Sequence, residues 1–142
     1  MTQPLRFIHL ESNPADAELI DSTLREAGIL CQPKRVQSRE EFLAALRQEG
    51  FSLILADTAV PDFDGAAALG LARTLHPDVP FLFVSATQGE EFAIDMMQRG
   101  ATDYIFKQRL GRLVPSIKRT LRELDERLER KRAEDALQKK KK

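Results

Sequence analysis

The chain has 142 residues and a single cysteine, Cys31. A lone thiol cannot close an intramolecular disulfide, and no zinc site can be built on it; as a small side chain it is expected to be buried. Long apolar runs are missing too. The longest, such as residues 51–56 and 81–84, reach about six residues, far short of the ~20 that a helix needs to cross a bilayer. Residues 1–4 lead from no basic segment into an apolar one, so no secretory signal is expected, and a cytoplasmic location is. Net charge is also absent, because 22 basic residues cancel 22 acidic ones. That balance hides a split: residues 1–118 hold 12 basic and 16 acidic side chains, and residues 119–142 hold 10 and 6. A mildly acidic body with a basic tail is not the balance of a nucleic-acid-binding protein, which gathers Lys and Arg on its body. Neither nucleic acid nor membrane is expected as a partner. What is present, 42% apolar and 31% charged residues, fits one globular domain with at most an appendage.

Five short apolar runs alternate with longer helical patterns. The runs are residues 5–10, 31–37, 51–56, 81–85 and 102–106. Lys34 and Arg35 interrupt the second, which an edge strand tolerates. The third and fourth are apolar with little alternation, as in strands covered on both faces. The helical patterns carry their own punctuation. Asn13 before Pro14 reads as an N-cap with proline in the first helical position, and Gly28 ends that helix. Ser38 with Glu41 reads as a capping box, and Gly50 as a stop. Thr87 with Glu90 repeats the device before Gly100. A further helix is expected from about Asp64 to His76, ended by Pro77. His76 at that C-terminus suits the helix dipole, and His9 reads as a satisfied core or edge histidine. Strand–helix alternation with short connections predicts a doubly wound α/β sheet. Pro115 suits the first turn of a last helix whose pattern runs to about Leu137. Ile117, Leu121, Leu124 and Leu128 form a coiled-coil-like seam on it. From about Asp125 this helix is expected to project roughly 20 Å beyond the body.

In an open parallel sheet, functional groups gather outside the carboxyl ends of the strands. The first run leads to Glu11 and Ser12, the third to Asp57, the fourth ends at Ser85 and the fifth leads to Lys107. Carboxylates, a hydroxyl and an amine would share one edge. This set suits phosphoryl chemistry: a carboxylate nucleophile accepts the group, and a cation, a donor and Mg²⁺ offset its charge. Asp57 and Glu11 are the candidate metal holders, Lys107 the cation and Ser85 the donor.

On these residues the sequence resembles the receiver domain of two-component response regulators. The matching motifs are residues 7–13 (FIHLESN), 53–65 (LILADTAVPDFDG), 81–87 (FLFVSAT) and 100–107 (GATDYIFK). They cover residues 5–120 in the family's order and spacing. The resemblance implies a flavodoxin-like five-stranded parallel sheet in the order 2-1-3-4-5. It implies a receiver over residues 1–120, with residues 121–142 extending the last helix as a dimerisation or linker segment. It also implies Asp57 as phosphoacceptor, Ser85 as switch hydroxyl, Tyr104 as aromatic switch and Lys107 as phosphoryl-binding lysine. Glu11, Asp57 and the backbone carbonyl of Ala59 would hold Mg²⁺. Two positions depart from the family. Ser12 stands where a second metal-binding acid is usual, so Mg²⁺ is expected to bind weakly, with Ser12 a weak ligand or one acting through water. Gln108 stands where proline usually follows the lysine, so the chain is expected to leave that strand by a different path.

The implied function is a regulatory phosphoacceptor rather than an enzyme with a separate substrate. A histidine kinase or phosphotransfer protein would be the donor, and an output or sensor domain the recipient of the signal. Homodimerisation through the last helix is expected, as part of a larger sensor or regulator. The alternative is a degenerate receiver that docks or dimerises without phosphorylation, motivated by Ser12. Haloacid-dehalogenase-like phosphatases need an acid two residues after the nucleophile, where Ala59 stands. A flavodoxin would need a phosphate loop where Glu11 would repel phosphate.

Overall fold

The computed structural model describes residues 3–86 and 89–140. Its strands are β1 (Leu5–Leu10), β2 (Cys31–Val36), β3 (Leu53–Ala56), β4 (Ala59–Val60), β5 (Phe63–Asp64), β6 (Phe81–Ser85) and β7 (Asp103–Phe106). Its helices are α1 (Pro14–Glu26), α2 (Arg39–Leu46), α3 (Gly65–Leu75), α4 (Glu90–Gln98) and α5 (Leu113–Lys140), with a 3-10 stretch at Lys107–Arg112. The main sheet is parallel in the order β2-β1-β3-β6-β7, the expected 2-1-3-4-5 once the small antiparallel β4–β5 hairpin is set aside. The hairpin has no counterpart in the sequence reading. It turns at Pro61 and Asp62, where proline presets the first turn position and Asp62 takes φ 60°.

Helix ends follow local chemistry. Asn13 Oδ1 accepts the Ala15 and Asp16 N–H groups at 2.9 and 3.3 Å, and Asp64 Oδ1 accepts the Ala66 N–H at 2.8 Å. Ser38 Oγ accepts the Glu41 N–H at 3.1 Å, but the return bond of the expected capping box falls one residue earlier. Glu41 Oε1 accepts from Gln37 N instead of Ser38 N. The N-cap of α4 is Gly89, and the expected cap residue, Thr87, lies outside the described residues. Gly28 and Gly100 follow α1 and α4 at φ 85° and 108°, left-handed conformations that glycine adopts without a Cβ clash.

The two faces of the sheet carry separate cores. Phe7, Leu53, Leu55, Leu82, Val84 and Ile105 pack under α1 and α5, through Ile20, Leu24, Leu113 and Ile117. Ile8, Leu10, Ile54, Ala56, Phe81 and Phe83 pack under α2, α3 and α4, through Phe42, Leu46, Leu69, Ala72 and Met96. Coverage on both faces explains why β3 is apolar throughout and β6 is apolar up to Ser85 at its end. Cys31 is buried. His76 caps α3, bonds the Leu46 carbonyl and stands edge-on to Phe51, so it ties α3 to the end of α2. Along α5, Ile117 and Leu121 pack on the body, whereas Leu128 and Leu137 are exposed. The described residues contain no helix long and apolar enough to cross a membrane.

Gly65 opens α3 against the backbone that carries the strand-end aspartate. A Cβ there would stand 3.2 Å from Thr58 Cα and 3.1 Å from Phe83 Cε1. Backbone cannot yield as a flexible side chain does. Gly65→Ala is therefore expected to destabilise the fold by about 1–2 kcal/mol, read as a lower urea midpoint at unchanged slope.

Candidate phosphoacceptor site

Strand register assembles the site. Leu10 pairs with Ala56, and each chain then continues one residue further with its ladder intact. Glu11 N bonds the Val36 carbonyl at 3.0 Å, and Asp57 N bonds the Leu10 carbonyl at 2.9 Å. Glu11 and Asp57 thus leave the sheet side by side. At the other edge Ser85 pairs with Phe106, which sets Lys107 at the same rim. Of the side chains predicted from sequence, Glu11, Asp57 and Lys107 meet. Lys107 Nζ lies 2.7 Å from Glu11 Oε1 and 3.2 Å from Asp57 Oδ2.

A third carboxylate joins them. Asp16 Oδ2, from the first turn of α1, is 2.7 Å from the same ammonium. Sequence reasoning missed it. Its only signal was a position one helical turn after Ser12, on the face that a strand-to-helix turn directs back to the rim. Glu11 is almost wholly buried; Oε2 accepts the Asn13 N–H at 3.2 Å, while Oε1 has the contact with Lys107 and no further donor. Burial pushes the Glu11 carboxyl above its usual range, against the pull of Lys107 and the Asn13 N–H. Burial draws the Lys107 ammonium down, but its bonds to Asp16 and Glu11 and the charges of Glu11 and Asp57 outweigh that. They hold it above the usual lysine range, so the amine stays charged.

Ser85 and Tyr104 lie on the other side of Asp57, within a chain of hydroxyls. Thr58 Oγ1 and Ser85 Oγ are 2.6 Å apart and buried, and the Tyr104 hydroxyl hydrogen-bonds to both side chains. Burial pushes the Tyr104 phenol up, so it remains a donor. The Tyr104 ring is already turned inward, packed on Phe83, Phe92 and Phe106 at centroid distances of 5.4, 6.2 and 5.2 Å. Sequence reasoning missed Thr58 as well, since a threonine after a strand-end aspartate carries no signal of its own. Ala59 N donates to Asp57 Oδ1 at 3.3 Å, which orients the carboxylate. Gln108, in place of the usual proline, donates through Nε2 to the Ala86 carbonyl at 2.9 Å. The chain then follows the 3-10 stretch, kinked at Arg109, before α5 begins.

Magnesium fits the donor chemistry here. Two adjacent carboxylates, one with a buried oxygen that lacks a further donor, are the ligands that a small hard cation takes while keeping several waters. Among the described residues no three His, Cys, Asp or Glu side chains are grouped to hold a metal ion, so an ion bound by these two carboxylates would need water or backbone carbonyl to complete its shell.

The model of the response regulator receiver domain matches residues 8–118. The chain belongs to this family. Receivers of the family take in a signal as a phosphoryl group and generally bind Mg²⁺ at that site. This receiver is 40% identical over 72 residues to the response regulator protein FleR of Pseudomonas aeruginosa, covering 51% of this chain and 15% of FleR. It is 34% identical over 70 residues to the transcriptional regulatory protein ZraR of Salmonella typhimurium, covering 49% and 16%. The matched part thus spans about a sixth of those relatives' length. A CheY-like receiver domain protein of Methanospirillum hungatei superposes with a TM-score of 0.76 at 25% identity, covering 88% of this chain and 99% of that one. The BeF3-activated DrrB receiver domain shares the fold at a TM-score of 0.72 and 19% identity, over 84% of this chain and 99% of that one.

His9 departs from the satisfied histidine expected of it. It is buried on β1, and among the described residues its Nε2 has no hydrogen-bond partner. Burial first, then the charges of Lys107 and Arg35, lower its pKa from 6.5 to about 4. The folded state keeps it neutral while the unfolded chain protonates it. Its contribution is therefore complete above pH 6.5 and is lost as pH falls to about 4. His9→Leu should flatten the fall in unfolding free energy across that interval by up to about 3 kcal/mol, measured by urea titrations at several pH values.

Proposed function

We propose that this receiver accepts a phosphoryl group on Asp57 from a histidine kinase or a phosphotransfer protein. The observation that carries this is the shared ammonium: Lys107 Nζ reaches both Asp57 and Glu11 at the open rim of the sheet. An oxygen of Asp57 attacks phosphorus and forms a P–O bond. The P–N bond to the donor imidazole breaks, and its electron pair leaves with the ring nitrogen. The Ala59 N–H keeps the Asp57 carboxylate oriented during attack. Lys107 shifts from carboxylate to phosphoryl oxygen as charge builds there. Glu11, Asp57 and the backbone carbonyl of Ala59 would hold Mg²⁺, with Ser12 a weak ligand or one acting through water. Bound there, the metal offsets charge on the transferring group.

Ser85 is the switch hydroxyl. Turning it toward a phosphoryl oxygen takes it from Thr58 and Tyr104, so the Tyr104 ring loses a partner and its packing on Phe92 and Phe106 is biased anew. Residues 1–120 form the receiver proper and residues 121–142 an extension that links to an output or sensor domain. On that extension exposed Leu128 continues the line of Leu121 and Leu124 past the body, which suits a helical partner, and a second copy of the chain supplies one.

Incubation with a small acyl phosphate and Mg²⁺ should add the mass of one phosphoryl group to the intact chain, and Asp57→Asn should abolish the gain. No added mass at any Mg²⁺ concentration would overturn the assignment. Light scattering should show dimers at high micromolar concentration and monomers once the chain is cut near Leu124; an unchanged monomer in both would remove the dimer.

A further inference from the structure

We propose that Asp16 supplies the acidic charge that Ser12 withdraws, and so makes this site able to hold a divalent cation. The inference rests on reading Asp57, Glu11 and Lys107 as the phosphoacceptor site. Glu11 and Asp57 face one ammonium, which leaves the rim with a single net negative charge. Asp16 raises that to two, the amount a divalent ion neutralises. Its placement is built. Asn13 Oδ1 caps α1 through the Ala15 and Asp16 N–H groups, which fixes the turn and directs the Asp16 carboxylate to Lys107. Asp16 holds Lys107 more closely than Asp57 does, 2.7 against 3.2 Å. The ammonium thus sits as close to Asp16 as to Glu11, 2.7 Å from each, and farther from Asp57, while the buried Glu11 oxygen it touches has no further donor among the described residues. With its side chain one-third exposed, Asp16 is the most solvated of the three acids and the least costly to release when Lys107 turns to a phosphoryl oxygen. Asp16 is thus a positioning residue: it acts through Lys107 and through its charge.

The test is calorimetric titration of the full chain with magnesium chloride, for the wild type, D16N, S12D and D16N/S12D. D16N keeps the shape of the side chain and removes the charge. It should weaken Mg²⁺ binding about tenfold, the effect of one unit charge near a divalent ion in a largely aqueous surrounding. S12D added to D16N should restore the lost affinity, because it returns the charge from the neighbouring turn. Because an acid at position 12 would add a ligand whatever Asp16 does, the deciding comparison is the size of its gain, which should be larger in D16N than in the wild type. D16N that binds Mg²⁺ as the wild type does, or a D16N loss that S12D leaves unrecovered, overturns the inference while the phosphoacceptor reading stands. Wild type and S12D both failing to bind Mg²⁺ would instead sink the metal-dependent reading of the site itself.

Discussion

A single ammonium holds the working rim of this receiver together. Lys107 is nearly buried, and a charge in that position is tolerated only when paired. Its three carboxylate partners come from β1, from the first turn of α1 and from the end of β3. The contact therefore joins elements up to 96 residues apart in sequence. It depends on strand register, because a slip of one residue in β1, β3 or β7 would turn the partner side chain to the other face. The ladder runs one residue past β1 and β3, so Glu11 and Asp57 are held by their own backbone before any side-chain contact forms.

Either side of Asp57 has its own physics. Toward α1 the site is ionic, with carboxylates competing for one lysine. Toward β6 and β7 it is a hydroxyl chain set in aromatic packing, with Thr58, Ser85 and Tyr104 bonded together and Phe83, Phe92 and Phe106 around the ring. Asp57 stands between the two: Lys107 ties it to the ionic side, and the next residue, Thr58, opens the hydroxyl chain. Helix α5 stands apart from this. Its first turns complete a core through Leu113 and Ile117, and its remainder carries leucines that the body does not cover.

Much of this was legible along the chain. Strand runs with no polar interruption, the Asn13–Pro14 start of α1, and polar residues at the strand ends all declare themselves locally. What escaped has a common cause. Asp16 lies on a helix, where an acid in the first turn is ordinary N-terminal chemistry. Thr58 meets Ser85 only because β3 and β6 pair. The β4–β5 hairpin is two residues a side, too short for periodicity to register. The unpartnered Nε2 of His9 depends on what α1 lays over β1, which no local pattern contains.

By itself the sequence determined the five main strands and their helices, their order along the chain, and the residue types delivered to the carboxyl ends of the strands, because caps, breakers and apolar period act over a few residues. Which carboxylates share Lys107, which hydroxyl Ser85 bonds, and how the Tyr104 ring lies were decided only by the packed sheet. Hydrogen bonds and ion pairs need partners within about 3 Å, and distances of that size between remote residues exist only after strands have paired and helices have settled on them.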